Sequence, residues 1–132
     1  MEQKTGRGGG LPAPEARASP EAYVTKDGSA IRELVHPAFT PGLGVSLAEA
    51  VVEAGGRTIP HFHTVFDEIY YCLEGEGVLY VEDEPRAFVP GGYHLMPRGA
   101  AHYLAAATRL RLLCVCSPAY SHEGTVLLDG PA

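Results

Sequence analysis

No run in the chain approaches the ~20 consecutive apolar residues that a membrane-spanning helix needs. Its opening, MEQKTGRGGG, lacks the apolar core of a secretory signal. Cysteine is sparse and odd in number: Cys72, Cys114 and Cys116 fit reduced thiols better than a disulfide framework, and the expected compartment is the cytoplasm. Basic residues are outnumbered, ten Lys and Arg against sixteen Asp and Glu for a net charge of −6. That balance argues against nucleic acid or a membrane surface as the partner, since both call for a basic footprint. What is there belongs to a folded, soluble protein: 45% hydrophobic and 20% charged residues in a chain of 132, the length of one ordinary domain.

Glycine and proline are abundant. Together they make 27 of the 132 residues, about a fifth against roughly an eighth on average, which excludes a helical bundle and fits short strands joined by tight turns. Seven of the 27 fall in residues 1–20, where large apolar side chains are scarce, and this stretch reads as a disordered tail. Residues 21–132 read as a single domain with a C-terminal extension. Short apolar or alternating runs recur at 23–25, 31–35, 45–53, 58–63, 68–73, 77–82, 86–89, 93–96, 102–106 and 109–116, each closed by turn chemistry such as Pro41-Gly42, Gly55-Gly56 or Pro90-Gly91-Gly92. The pattern predicts an all-β sandwich or barrel. Residues 47–54 have some helical character, but Val51-Val52 and the Gly-Gly stop favour a strand. Strand alternation puts Leu110, Leu112, Cys114 and Cys116 on one face, pointing inward, and Ile69, Tyr71 and Leu73 on the face opposite Glu68, Tyr70 and Cys72.

The chemistry concentrates in a few residues. His61-Phe62-His63 on a strand places both imidazoles on one face, roughly 7 Å apart along the chain. Glu68 follows after a short connection, and His102 opens a later strand behind Pro97-Arg98-Gly99. Three neutral nitrogens and one carboxylate suit a first-row divalent metal and leave positions open for a substrate or dioxygen. Without a cation, a buried carboxylate beside three imidazoles would be costly.

Gly55-x5-His61-x-His63-x4-Glu68-x6-Gly75 resembles the first signature motif of the cupin superfamily, and Gly91-x5-Pro97-x-Gly99-x2-His102 resembles the second. The 15 residues between them match the short spacer of small bacterial single-domain cupins. The resemblance covers residues 55–106. It implies a jelly-roll barrel (a double-stranded β-helix) of two antiparallel sheets, with His61, His63, Glu68 and His102 holding one divalent transition metal per chain. Iron or manganese is the first choice; zinc, nickel and copper stay open. Two positions depart from the motif: Ala106 stands where an Asn is common, and Gly92 where an Asp is common.

Four further residues are candidates for the substrate pocket. Tyr70 shares Glu68's face and either meets substrate or fills the core. His94 is either a pocket group or an ordinary strand residue. Cys114 and Cys116 have the spacing of soft ligands, although sharing a face with Leu110 and Leu112 favours small core residues. His36 reads as a surface residue, and the 117–125 segment either as an exposed loop or as a flap over the barrel mouth or a second subunit. The resemblance implies a metal-dependent enzyme acting on a small oxygenated organic molecule, in the first instance a dioxygenase. A metal-dependent isomerase or polyketide-type cyclase, with Glu68 as a possible base, and a non-catalytic sugar- or metabolite-binding module are the alternatives. Pairing through the outer stripe Ile69, Tyr71 and Leu73 makes a homodimer the expected assembly.

Overall fold

The computed structural model describes residues 21–128; the tail expected over residues 1–20 lies outside the described residues, as do residues 129–132. Eleven strands follow in chain order: β1 (Tyr23–Val24), β2 (Ala30–Val35), β3 (Ser46–Val52), β4 (His61–His63), β5 (Asp67–Glu74), β6 (Gly77–Val81), β7 (Glu84–Phe88), β8 (Tyr93–Met96), β9 (His102–Ala106), β10 (Leu110–Ser117) and β11 (Thr125–Leu127). Among the described residues there is no helix, hence none long and apolar enough to cross a membrane.

The strands form two antiparallel sheets, ordered β1-β2-β3-β10-β5-β8 and β11-β4-β9-β6-β7. This is the two-sheet barrel that the spacing of short strands and turns predicts. Each sheet turns one face inward. On β3 burial alternates residue by residue, with Ser46, Ala48, Ala50 and Val52 inward, so the stretch with helical character is a strand because its apolar period is two. Phe88, Leu79, Met96, Leu104, Leu110 and Leu112 fill one end of the interior. The other end is polar and open, and there the histidines converge.

Two glycines of the motif are fixed by space. Gly75 has a φ of 92°, and a Cβ there would run into the Arg109 carbonyl; a Cβ on Gly77 would meet the Ala105 carbonyl. These close approaches seat the β5–β6 connection against the β9–β10 connection.

The structure corrects three boundaries. The strand expected over 58–63 shortens to His61–His63, because Pro60 has no N–H to give to a ladder. The break expected between 82 and 86 is a two-residue turn, Glu82-Asp83, both at positive φ (50° and 66°), and β7 starts at Glu84. That conformation is the hairpin turn whose twist matches the strands it joins. The third is β11, which sequence patterning does not anticipate: it pairs with β4, Thr125 opposite His63 and Leu127 opposite His61.

Candidate metal centre

β4 supplies His61 and His63, both buried, with Phe62 turned to the other side. β9 pairs with β4 at a single register point, His61 opposite His102, so the third imidazole lands beside the first two. Glu68 arrives from β5 in the other sheet. The cluster therefore bridges the two sheets. Ring centroids are 5.0 Å apart for His61 and His63, 4.3 Å for His61 and His102, and 5.3 Å for His63 and His102. One potential ligand atom from each of the four residues lies within 4.8 Å of all the others.

The outer ring nitrogens determine what the inner ones can do. His61 Nδ1–H donates to the Ile59 carbonyl at 2.7 Å and His102 Nδ1–H to the Ala100 carbonyl at 2.9 Å. His63 Nδ1 lies 3.0 Å from Thr125 Oγ1, whose own hydrogen goes to the Ser121 carbonyl, so His63 donates as well. A carbonyl can only accept, so all three rings carry their hydrogen on Nδ1 and turn an Nε2 lone pair inward when neutral. This is the outer-shell arrangement of metal-bound histidines.

The inner atoms show what the arrangement wants. His63 Nε2 is 2.8 Å and His102 Nε2 is 3.3 Å from Glu68 Oε1, and His102 Nε2 has no aligned hydrogen-bond partner although it is fully buried. Lone pairs facing a carboxylate oxygen repel unless a cation sits among them. Burial, and then His102, pull the His61 pKa from 6.5 down to about 4, leaving that ring neutral. Burial alone would push Glu68 up, and only positive charge beside it, on the His102 and His63 rings or on a cation held between them, keeps the carboxyl below the usual range. A buried carboxyl, three ring nitrogens turned inward and an orphaned Nε2 fit a divalent cation. Replacing Thr125 by valine should leave His63 Nδ1–H without an acceptor. Metal affinity is then expected to fall about 10- to 100-fold in competition with a chelator, the usual effect of losing such a partner.

A small cavity adjoins the cluster and is lined by His61, His63 and Glu68 together with Asp27, Glu33 and Tyr120. Of the four pocket candidates, the structure places Tyr70, Cys114 and Cys116 on its wall. Tyr70 is buried with its ring 5.6 Å from that of His102, and burial, then Glu68, raises its pKa well above 10, so it keeps its proton. Cys116 Sγ donates to Glu68 Oε2 at 3.4 Å, leaving Oε1 as the inward oxygen. Burial, followed by the Glu68 charge, raises both Cys114 and Cys116, so they stand as thiols rather than soft thiolate ligands. His94 corrects the expectation, for it is not on the cavity wall. It pairs across from Tyr70, but buried Phe88 occupies that end of the barrel, so His94 packs on the Phe88 ring at 6.0 Å and bonds the Ala87 carbonyl at 3.2 Å.

Sequence patterning gave no sign of Asp27. It is buried in the turn between β1 and β2, where its carbonyl accepts the Ile59 N–H at 2.8 Å and ties the turn to β4. Oδ1 accepts from Ser29 N at 2.9 Å and Ser29 Oγ at 2.7 Å. Oδ2 is left over on the cavity wall, 3.8 Å from His61 Nε2. The only available signal was Asp27-Gly28-Ser29, which reads as a turn, and nothing in it says that the turn folds inward. The 117–125 segment packs at the mouth, where Tyr120 and Thr125 line the cavity. Tyr120 packs against the rings of Phe66 and His63 at 5.5 and 6.2 Å, its N–H meets Ser46 Oγ, and its carbonyl accepts from His36 Nε2 at 2.9 Å. His36, expected at the surface, is half-buried by this contact.

Comparison with known proteins agrees with this geometry. A family model described as "Cupin domain" matches residues 48–116. The uncharacterized protein MJ1618 of Methanocaldococcus jannaschii is 41% identical over 109 residues, 81% of this chain and 87% of that protein. The L-ectoine synthase of Oceanobacillus iheyensis is 33% identical over 90 residues, 67% of this chain and 70% of that one. Among solved structures, ectoine synthase from P. lautus superposes with a TM-score of 0.68 at 25% identity, covering 92% of this chain and 91% of that one.

Proposed function

This chain belongs to the cupin family, and on that premise we propose that it is a metal-dependent enzyme that moves a proton on a small oxygenated organic molecule. The observation that carries the reading is Asp27: a buried carboxylate with one oxygen pinned by Ser29 and the other free, on the wall of the cavity into which His61, His63, His102 and Glu68 turn. Those four residues would hold the ion, iron or manganese being the first choice. When bound, a divalent cation supplies Lewis acidity and open positions for an oxygen of the substrate.

The rest is the work of the chain's own side chains. Asp27 Oδ2 stands where it can accept a proton from a carbon or hydroxyl next to that oxygen. Tyr70, which keeps its hydrogen, is a donor on the same wall. Tyr120 stands at the mouth, and Ile31, Leu104 and Leu112 give the interior an apolar wall. A synthase among the relatives is in keeping with proton-transfer chemistry, which requires no oxidant.

The test is deuterium incorporation from D2O into a panel of enolisable ketones and 2-oxo acids, followed by proton NMR with metal-loaded protein. Exchange at equal rates with and without air is expected. Oxygen consumption matched to substrate loss would replace this reading with a dioxygenase, and binding without exchange would replace it with a ligand-binding module.

A second copy of the chain is the proposed partner. Ile69, Tyr71, Tyr93 and Leu95 are exposed on one outer face, where Ile69 stands opposite Leu95 and Tyr71 opposite Tyr93, and β8 is the sheet edge. An apolar face ending in an open edge favours self-association. Sedimentation velocity should find a dimer, converted to monomer by Leu95→Glu.

A further inference from the structure

We propose that the cavity selects molecules that carry a protonated amine at the end away from the metal ligands, and that Glu33 is the residue that reads it. The inference rests on the reading of His61, His63, Glu68 and His102 as a metal site, and concerns the opposite end of the same cavity.

Three carboxylates line that cavity, Asp27, Glu33 and Glu68, and no lysine or arginine does. A divalent cation at the histidine cluster would balance Glu68 and Asp27. Glu33 then has no lysine or arginine in the cavity to pair with; burial raises its pKa, which His36 and His122 only partly offset. Glu33 projects from β2 toward the interior, opposite Ala48 on β3, a residue too small to fill the space beside it. It lies at the outer end, where it also borders the groove formed by Tyr23, His36, Tyr120 and His122.

Its two oxygens differ. Oε2 accepts from Tyr23 OH at 3.3 Å, whereas Oε1 is buried and has no hydrogen-bond partner. The neighbouring polar groups are already engaged. His36 donates Nε2–H to the Tyr120 carbonyl and accepts the Ala38 N–H at Nδ1, and His122 Nδ1 lies 3.0 Å from Tyr120 OH. That oxygen lacks a donor from the protein, and rotation of the Glu33 side chain would bring it to a donor from a ligand in the cavity. A cationic donor fits best, since charge-assisted hydrogen bonds are about twice as strong as neutral ones and the local charge is negative. The same charge disfavours a second carboxylate or a phosphate at this end.

The test uses probes that share one end and differ at the other. Titration calorimetry on metal-loaded protein would compare β-alanine, 4-aminobutanoate and 5-aminopentanoate with 4-hydroxybutanoate, succinate and glutarate, with metal content measured on each sample. The expected result is at least one amine-ended compound binding about tenfold or more tightly than the hydroxyl- and carboxylate-ended ones of similar length. Glu33→Gln, which still accepts from Tyr23, should remove that preference while leaving metal content unchanged. Glu33→Asp should keep the preference and move the best chain length up by one methylene, which a general loss of structure would not do. Equal affinity for all ends, an amine preference that survives Glu33→Gln, or no binding of the amine-ended series at millimolar concentration would overturn the proposal. Full metal loading in those samples would leave the metal reading standing. Samples that take up no metal yet show a Glu33-dependent amine preference would overturn the metal reading and leave this one.

Discussion

Replacing His102 by alanine is expected to lower metal content from about one equivalent per chain to less than about a tenth, measured by mass spectrometry of elements after dialysis. The ring is fully buried, its Nδ1–H is held by the Ala100 carbonyl, and its Nε2 has no aligned partner but the centre of the cluster. Removing it leaves two imidazoles and Glu68. Loss of a partner behind a ligand lowers affinity 10- to 100-fold, so loss of the ligand itself should exceed roughly 100-fold. The barrel should survive, since β9 keeps its pairing with β6 from Gly77 to Val81, and circular dichroism can separate metal loss from unfolding. Metal near one equivalent in folded His102→Ala protein would count against the centre.

Acid should act on the same site in a definite direction. His61 has a folded pKa of about 4 against an ordinary 6.5. A depressed folded value means that the neutral ring favours the folded state at pH above about 6.5, and that this contribution is lost as pH falls toward 4. Because the imidazoles bind a metal only when neutral, metal release should follow the same acid direction.

The four candidate ligands were legible because their arrangement is local. His61 and His63 share a face by strand alternation, Glu68 follows within a hairpin's reach, and the glycine spacing of the two motifs brings in His102. Cys116 was placed on the inward face correctly, yet its bond to Glu68 Oε2 depends on a β10–β5 register that pairs Cys116 with Glu68 across 48 positions. Distance in sequence hid more at the edges. Thr125 supports His63 from 62 residues away, and a three-residue strand, Thr-Val-Leu, is too short for periodicity to register. Asp27 was hidden for a different reason. Asp-Gly-Ser describes a turn on any surface, and only the hydrogen bond from Ile59 N to the Asp27 carbonyl turns this one inward. His94 shows the converse: alternation gave its face, but not that Phe88 already occupied the space in front of it.

Asp27→Asn should slow proton transfer steeply while sparing the metal. The substitution is nearly isosteric, and the asparagine oxygen can take over the two bonds from Ser29 that position Oδ1. What changes is the free atom. An amide nitrogen replaces Oδ2, the oxygen 3.8 Å from His61 Nε2, and an amide does not accept a proton in the working pH range. A positioned general base contributes about 10²- to 10⁴-fold, so deuterium exchange into the reactive ketone should fall by that factor. Metal content and stability should hold, because Asp27 is not one of the four converging residues. Asp27→Glu places a base in the cavity one methylene too far forward and should recover part of the rate. Ser29→Ala gives a graded control: it removes the 2.7 Å bond from Oγ but leaves the one from the backbone N–H, so it should slow exchange less than Asp27→Asn does. A structural Asp27 would give a different pattern, in which stability falls with Ser29→Ala and Asp27→Asn alike and exchange per folded molecule stays constant. Exchange unchanged in metal-loaded, folded Asp27→Asn would move the base to another residue of the wall, and Glu33 would be the next carboxylate to replace.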